Sequence, residues 1–290
     1  MWQTFASSPG GLATAIVLGL LWGSFANVCI YRWPAGKSVV TPGSHCGACG
    51  VPIRWYDNVP ILSYLWLRGR CRACKAPFSP RYLLVEALTG VLFGVAWWFT
   101  LGTGGLFDGT VELRTLRFAI DALFVLVMVV VTFIDIDHKL ILNKVTIPSI
   151  VLFYGASLLL PERRWWEGLV GAAIGYGVPW LIGEIYYRVR KVEGLGLGDG
   201  MLLAVIGALL GWRGVVFSLF GGSVIGSVIG IAALAAARRH AEDAPEGSAE
   251  PEQPTLMKTE LPFGPFLACA AVLYVFAEPW LVLQFRFAGG

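Results

Sequence analysis

Two groups of residues in this 290-residue chain have the types and spacing to do chemistry: four cysteines and a small set of carboxylates. The cysteines stand as two C-x2-C knuckles, Cys46 and Cys49 in HCGACG and Cys71 and Cys74 in CRAC, with 21 residues between them. Two intervening residues let both thiolates of a knuckle reach one ion from a tight turn, and two knuckles complete a tetrahedral all-sulfur shell. Zinc or a similar metal is therefore expected, with a redox dithiol pair as the alternative, since a reducing cytoplasm disfavours disulfides. A closed four-sulfur shell leaves no position for water, so the metal would be a structural staple and the reaction would lie elsewhere. Cys29 and Cys269 fall in apolar stretches and read as packing residues.

The carboxylates are few and most lie in apolar surroundings, where an ionisable group is costly and marks a functional candidate. They are Glu86, Asp121, Asp135, Asp137, Glu184 and Asp199. Asp135 ends a long apolar run, VLVMVVVTFIDIDHKLILNKVTIP, and Asp199 sits in the glycine-rich GLGLGDG just before another apolar stretch. Two acids from separate hairpins thus arrive at one membrane face. A close carboxylate pair does not readily ionise twice, so one member can activate water while the other protonates a leaving amine. The same pair could instead serve an ion-coupled transporter as a cation or proton site, and both readings stay open on these residues alone. Asp137, with His138 and Lys139, reads as a solvated helix end, and Glu86 and Asp121 as facing a polar groove or snorkelling. The D-x-D-H run lacks a full cation ligand set. GLGLGD lacks the G-K-[ST] ending of a phosphate loop.

The elements that must position these groups follow from composition. The chain is 56% hydrophobic and 14% charged, against about a quarter charged in soluble domains. Eight apolar stretches, near 11–30, 83–101, 117–134, 145–160, 166–187, 200–212, 214–236 and 263–283, approach the roughly 20 residues a bilayer crossing needs. The fourth and sixth are short. The expected fold is an all-α polytopic membrane protein of seven or eight transmembrane helices with a small metal-binding cytoplasmic insertion. With the N-terminus outside, 16 of the 22 Lys and Arg residues fall on the inside, as the positive-inside rule requires. Met1 to Gly10 lacks a basic n-region, so the first apolar segment reads as a retained anchor. A net charge of +3 without a Lys/Arg run gives no reason to expect a nucleic-acid partner. The chain divides into a first transmembrane helix (1–30), a four-cysteine zinc-binding insertion (31–82), a catalytic helical region (83–236), a flexible linker rich in Ala, Glu and Pro (237–260), and a last transmembrane helix (261–290).

Six segments, in order, resemble the bacterial type IV prepilin leader peptidases that are also N-methyltransferases. They are GSFANVCIYRWP, the paired knuckles with VPILSYLWLRGRC, SPRYLLVEALTG, FIDIDHKLILNKVTIP, GLGLGD and LPFGPFLA. The resemblance implies that Asp135 and Asp199 are the catalytic aspartates, with Gly196 and Gly198 in the supporting loop. Those glycines, lacking Cβ, would let an extended peptide pass beside Asp199. It further implies cleavage of type IV prepilins and type II secretion pseudopilins at the cytoplasmic face of the bacterial inner membrane. N-methylation of the new terminus with S-adenosylmethionine would follow, through cofactor-binding residues that the motifs leave unassigned. The chain departs from the pattern at Leu142 and Asn143, where the family carries Pro and an acid or Asn, and at Met201, where it carries Lys.

Overall fold

A computed structural model describes residues 2–102, 107, 109–191, 196–242 and 262–287. Within them the chain is helical: α1 (Trp2–Ala6), α2 (Pro9–Arg32), a 3-10 turn (Trp55–Asn58), α3 (Leu62–Trp66), α4 (Arg81–Thr100), α5 (Val111–His138), α6 (Asn143–Ser157), α7 (Trp165–Arg190), α8 (Leu197–Glu242) and α9 (Gly264–Phe287). Helix is what lipid demands, because each N–H and C=O finds its partner within its own segment. The ends are set locally. Ser8 caps α2 by accepting from the Gly11 N–H, Thr110 caps α5 by accepting from Leu113, and Lys139 in the left-handed region stops α5.

Among the described residues, six helices are long and apolar enough to cross a membrane: α2, α4, α5, α7, α8 and α9. The 40-residue apolar part of α8 would be about 60 Å long if straight, twice a hydrocarbon core. It is not continuous. Gly211 has φ 69° and ψ −175°, a conformation open to a residue without Cβ, and it divides α8 into two limbs. The limbs, together with α6 and the other five helices, match the eight apolar stretches of the sequence. The two short stretches correspond to α6 and the first limb of α8. Of the linker expected at 237–260, residues 237–242 continue α8 and 243–260 lie outside the described residues.

Helix α5 is the hub. Its apolar stretch is 72% buried, against 22% for α7, and it packs against α2, α4, α6 and α9. Small residues bring the flanking pairs to backbone contact. A Cβ on Gly207 of α8 would fall inside the backbone of Gly171 on α7, and one on Gly23 of α2 would lie 2.8 Å from the Glu86 Cα of α4. The first limb of α8, which carries Asp199, is held against α7 by that seam.

At the end of α5 remote from Asp135, Arg117 is 3% exposed and lies among acids. Its Nε donates to both oxygens of Asp121 at 3.1 Å, its Nη2 to Glu278 of α9 at 3.1 Å, and its Nη1 to Glu162. Arg163 also pairs with Glu278, at 2.5 Å. Asp121 therefore neither faces a groove nor snorkels: it is enclosed by a cation on its own helix. Removing one partner of a buried ion cluster strands the rest, at a cost of about 3–5 kcal/mol. Arg117→Ala should lower the stability of the detergent-solubilised protein by that order, read as a fall in its melting temperature.

Candidate active site and metal centre

Asp135 occupies the last turn of α5 and is 5% exposed. The helix stops four residues later, where Lys139 turns left-handed and its N–H returns to the Asp135 carbonyl at 2.8 Å. The Asp135 side chain accepts the backbone N–H of Gly264, the first residue of α9. Contact there is close: a Cβ on Gly264 would lie 2.5 Å from Asp135 Oδ2 and 3.3 Å from Ile141 Cδ1. Ile141 in turn would lie 3.0 Å from a Cβ on Gly198.

Asp199 sits in the first turn of α8, its N–H bonded to the Gly196 carbonyl at 3.1 Å. The partial positive charge of a helix start favours an acid there. Its Oδ2 lies 3.5 Å from the Cβ position of Gly196, and the carboxyl is near enough to Asp135 to interact with it electrostatically. The two aspartates singled out in the sequence therefore lie near one another, with Ile141 beside both Gly198 and Gly264. Gly196 and Gly198 flank the same turn, while Gly194 and Leu195 lie outside the described residues.

The other acids go elsewhere. Asp137 is exposed at the end of α5, as expected of a solvated helix end, and pairs there with Arg81 at the start of α4. Glu86 accepts the backbone N–H of Ile61 at 2.8 Å, and Glu184 pairs with Arg188 at 2.7 Å. Asp121 is about 21 Å along α5 from Asp135, fourteen residues at the helical rise.

Two contributors were not assigned a site role from the sequence. Arg81 donates to the Phe133 carbonyl at 2.9 Å and lies over the Phe133 ring, 4.9 Å from its centroid, two residues before Asp135. Gly264 supplies both the donor and the space beside Asp135. SPRY and LPFGP held these residues, but only tertiary proximity gives them a task. Gly264→Ala should displace the Asp135 carboxyl and cut turnover at this candidate site about a hundredfold, the scale for misplacing a reacting group. Turnover per folded molecule is the measure.

The four-cysteine site is built from two near-identical knuckles. Cys46 N–H bonds the Val51 carbonyl and Gly50 N–H the Cys46 carbonyl; Cys71 N–H bonds Ala76 and Lys75 N–H bonds Cys71 in the same way. All four Sγ atoms lie within 4.8 Å of one another, and Cys46 Sγ is 3.8 Å from Cys74 Sγ. The backbone N–H groups of Cys49 and Ala48 pull the Cys46 thiol down to about 6, which favours the thiolate a metal needs. The set could hold a metal ion. Cys29 is buried as expected for packing, whereas Cys269 is exposed on α9.

Comparisons with known proteins give the chain a family. The bacterial peptidase A24 N-terminal domain matches residues 17–100, which contain the cysteines, and the type IV leader peptidase family matches 122–231, which contain both aspartates. A prepilin leader peptidase/N-methyltransferase of Myxococcus xanthus (strain DK1622) is 34% identical, over 96% of this chain and 95% of its own. Proteins of the same description are 34% identical in Neisseria gonorrhoeae, over 80% and 86% of the two chains, and 33% in Pseudomonas putida, over 95% and 94%. No solved structure gives a significant match. The chain belongs to the type IV leader peptidase family.

Proposed function

We propose that this protein removes the leader peptide of type IV prepilins and type II secretion pseudopilins and then N-methylates the exposed terminus. The observation that supports the reading is the proximity of Asp135 and Asp199 at the ends of two helices, one acid accepting from the Gly264 N–H. One carboxyl, ionised, takes a proton from water, whose oxygen attacks the scissile carbonyl. The other, protonated, gives its proton to the leaving nitrogen as the C–N bond breaks. The products are a leader with a new carboxylate and a pilin with a new amine. An ion-coupled transporter is not supported, because the family is a peptidase family and the two acids share one site at the helix ends.

Orientation follows from charge. The N-terminus lies outside and both the dyad and the insertion face the cytoplasm of the inner membrane. The chain is organised as a first span (1–30), a zinc insertion (31–82), catalytic helices (83–236), a linker (237–260) and a last span (261–290). The substrate's apolar N-terminal helix shares the bilayer, which brings its cleavage site to the membrane face where the dyad stands.

Zinc suits the sulfur set. Bonds of about 2.3 Å in tetrahedral geometry place sulfurs roughly 3.8 Å apart, and the Cys46–Cys74 separation is 3.8 Å. The insertion needs such a staple. Val40, Trp55 and Trp66 are 80–82% exposed there, so little apolar burial holds it together. S-adenosylmethionine supplies, when bound, an electrophilic methyl group; the chain must hold it and present the neutral amine to it.

Asp135→Asn and Asp199→Asn should each slow prepilin cleavage by at least about a hundredfold, read as loss of the mobility shift of a co-expressed prepilin. Normal cleavage by either variant would refute the dyad. Elemental analysis should find one zinc per chain in the wild type. The Cys46→Ser/Cys71→Ser double variant should carry none and accumulate at a lower level.

A further inference from the structure

Between the cysteine insertion and the ends of α2 and α4 lies a cavity of about 350 Å³, within the 300–1,000 Å³ range usual for small-molecule sites. It is separate from the dyad: neither aspartate lines it. Aromatic rings form much of its wall, from Tyr31 on α2, Tyr64 and Phe78 on the insertion, and Tyr82 on α4. Asn27 and Glu86 provide polar groups among them.

The charge inside the cavity is distinctive. Arg32 is spent on the carbonyls of Ser38, Pro42 and Gly43, and Asp57 is held by Arg72 through two hydrogen bonds. Glu86 is 8% exposed and forms no ion pair among the described residues. It accepts from the Ile61 N–H at 2.8 Å and from Ser24, which fixes its direction and leaves further lone pairs of the carboxylate. Ile61 itself has φ 59°, an outlier for a β-branched residue that only a strong local constraint maintains. A carboxylate without an ion pair among the described residues, with aromatic rings in the same wall, suits a cation with an aromatic group attached, and the Arg70 cation that also lines the cavity suits a carboxylate on the same ligand.

We infer that this cavity binds S-adenosylmethionine, with Glu86 facing the sulfonium and the tyrosine and phenylalanine rings enclosing the adenosine. Asn27, whose amide nitrogen donates to the Tyr82 carbonyl at 3.0 Å, keeps its amide oxygen as an acceptor for the ligand. The inference rests on the N-methyltransferase reading and gives it a location. It also accounts for why the insertion stands where it does. Tyr82 in the cavity wall follows Arg81, whose guanidinium reaches Phe133 and Asp137 on either side of the catalytic Asp135. The wall of the donor site and the end of the peptidase helix are thus one connected structure.

The test is equilibrium binding of radiolabelled S-adenosylmethionine to the full-length protein in nanodiscs, alongside its neutral thioether product S-adenosylhomocysteine. Glu86→Gln keeps an oxygen for the Ile61 N–H and removes only the charge. It should weaken S-adenosylmethionine binding about tenfold, the loss expected for one charge-assisted contact, and change the thioether's binding less than twofold. Melting temperature and metal content should match the wild type. Ultraviolet cross-linking of the bound donor should label peptides within 24–32 or 56–86. Unchanged affinity in Glu86→Gln, equal losses for both ligands, or labelling confined to α7–α9 would overturn the location while leaving methylation itself standing. Absence of any binding to the wild type at millimolar donor would overturn both.

Discussion

The hydrogen bond from the Gly264 N–H to the Asp135 carboxyl is the contact on which the arrangement of the proposed dyad turns. An acid at the end of an apolar helix needs a donor, and here the donor is the free N–H at the start of another helix. The same two helices are joined again at their far ends, where Arg117 of α5 meets Glu278 of α9. Polar contacts within an apolar surround thus tie α5 and α9 at both ends, fixing their spacing and their register. With α5 buried among α2, α4, α6 and α9, the rest of the bundle takes its position from this pair.

The second aspartate is placed by a different force. Glycines at 171 and 207 let α7 and α8 approach to backbone distance, where dispersion between closely packed surfaces substitutes for the hydrophobic effect that lipid does not supply. Gly211 then breaks α8 so that its first limb can stop short of a full crossing. The result is a helix start, with its exposed N–H groups and an acid in its first turn, beside the end of α5. Electrostatics holds one carboxylate and packing the other.

The cysteine insertion joins these elements to a second chemistry. Its two knuckles repeat one backbone pattern around four sulfurs, and its return to the membrane is anchored by Arg81 onto the last turn of α5. An insertion that leaves Val40, Trp55 and Trp66 exposed is thereby fastened to the bundle through Arg81.

Much of this was legible without coordinates. The class of fold follows from apolar length, since a bilayer accepts little besides helices, and the four-cysteine set follows from C-x2-C spacing, a local turn geometry. Asp135 and Asp199 stood out because an acid beside a membrane span is costly and rarely kept without use. What the linear chain does not determine is which distant groups share a site. The six acids have the same intrinsic chemistry. Only the bundle sends Asp121 to Arg117, Asp137 to Arg81 and Glu86 to Ile61, and leaves Asp135 facing Asp199. Gly264 shows the same limit. Its value lies in having no Cβ at 2.5 Å from a carboxylate oxygen 129 positions earlier, a close approach that packing alone creates.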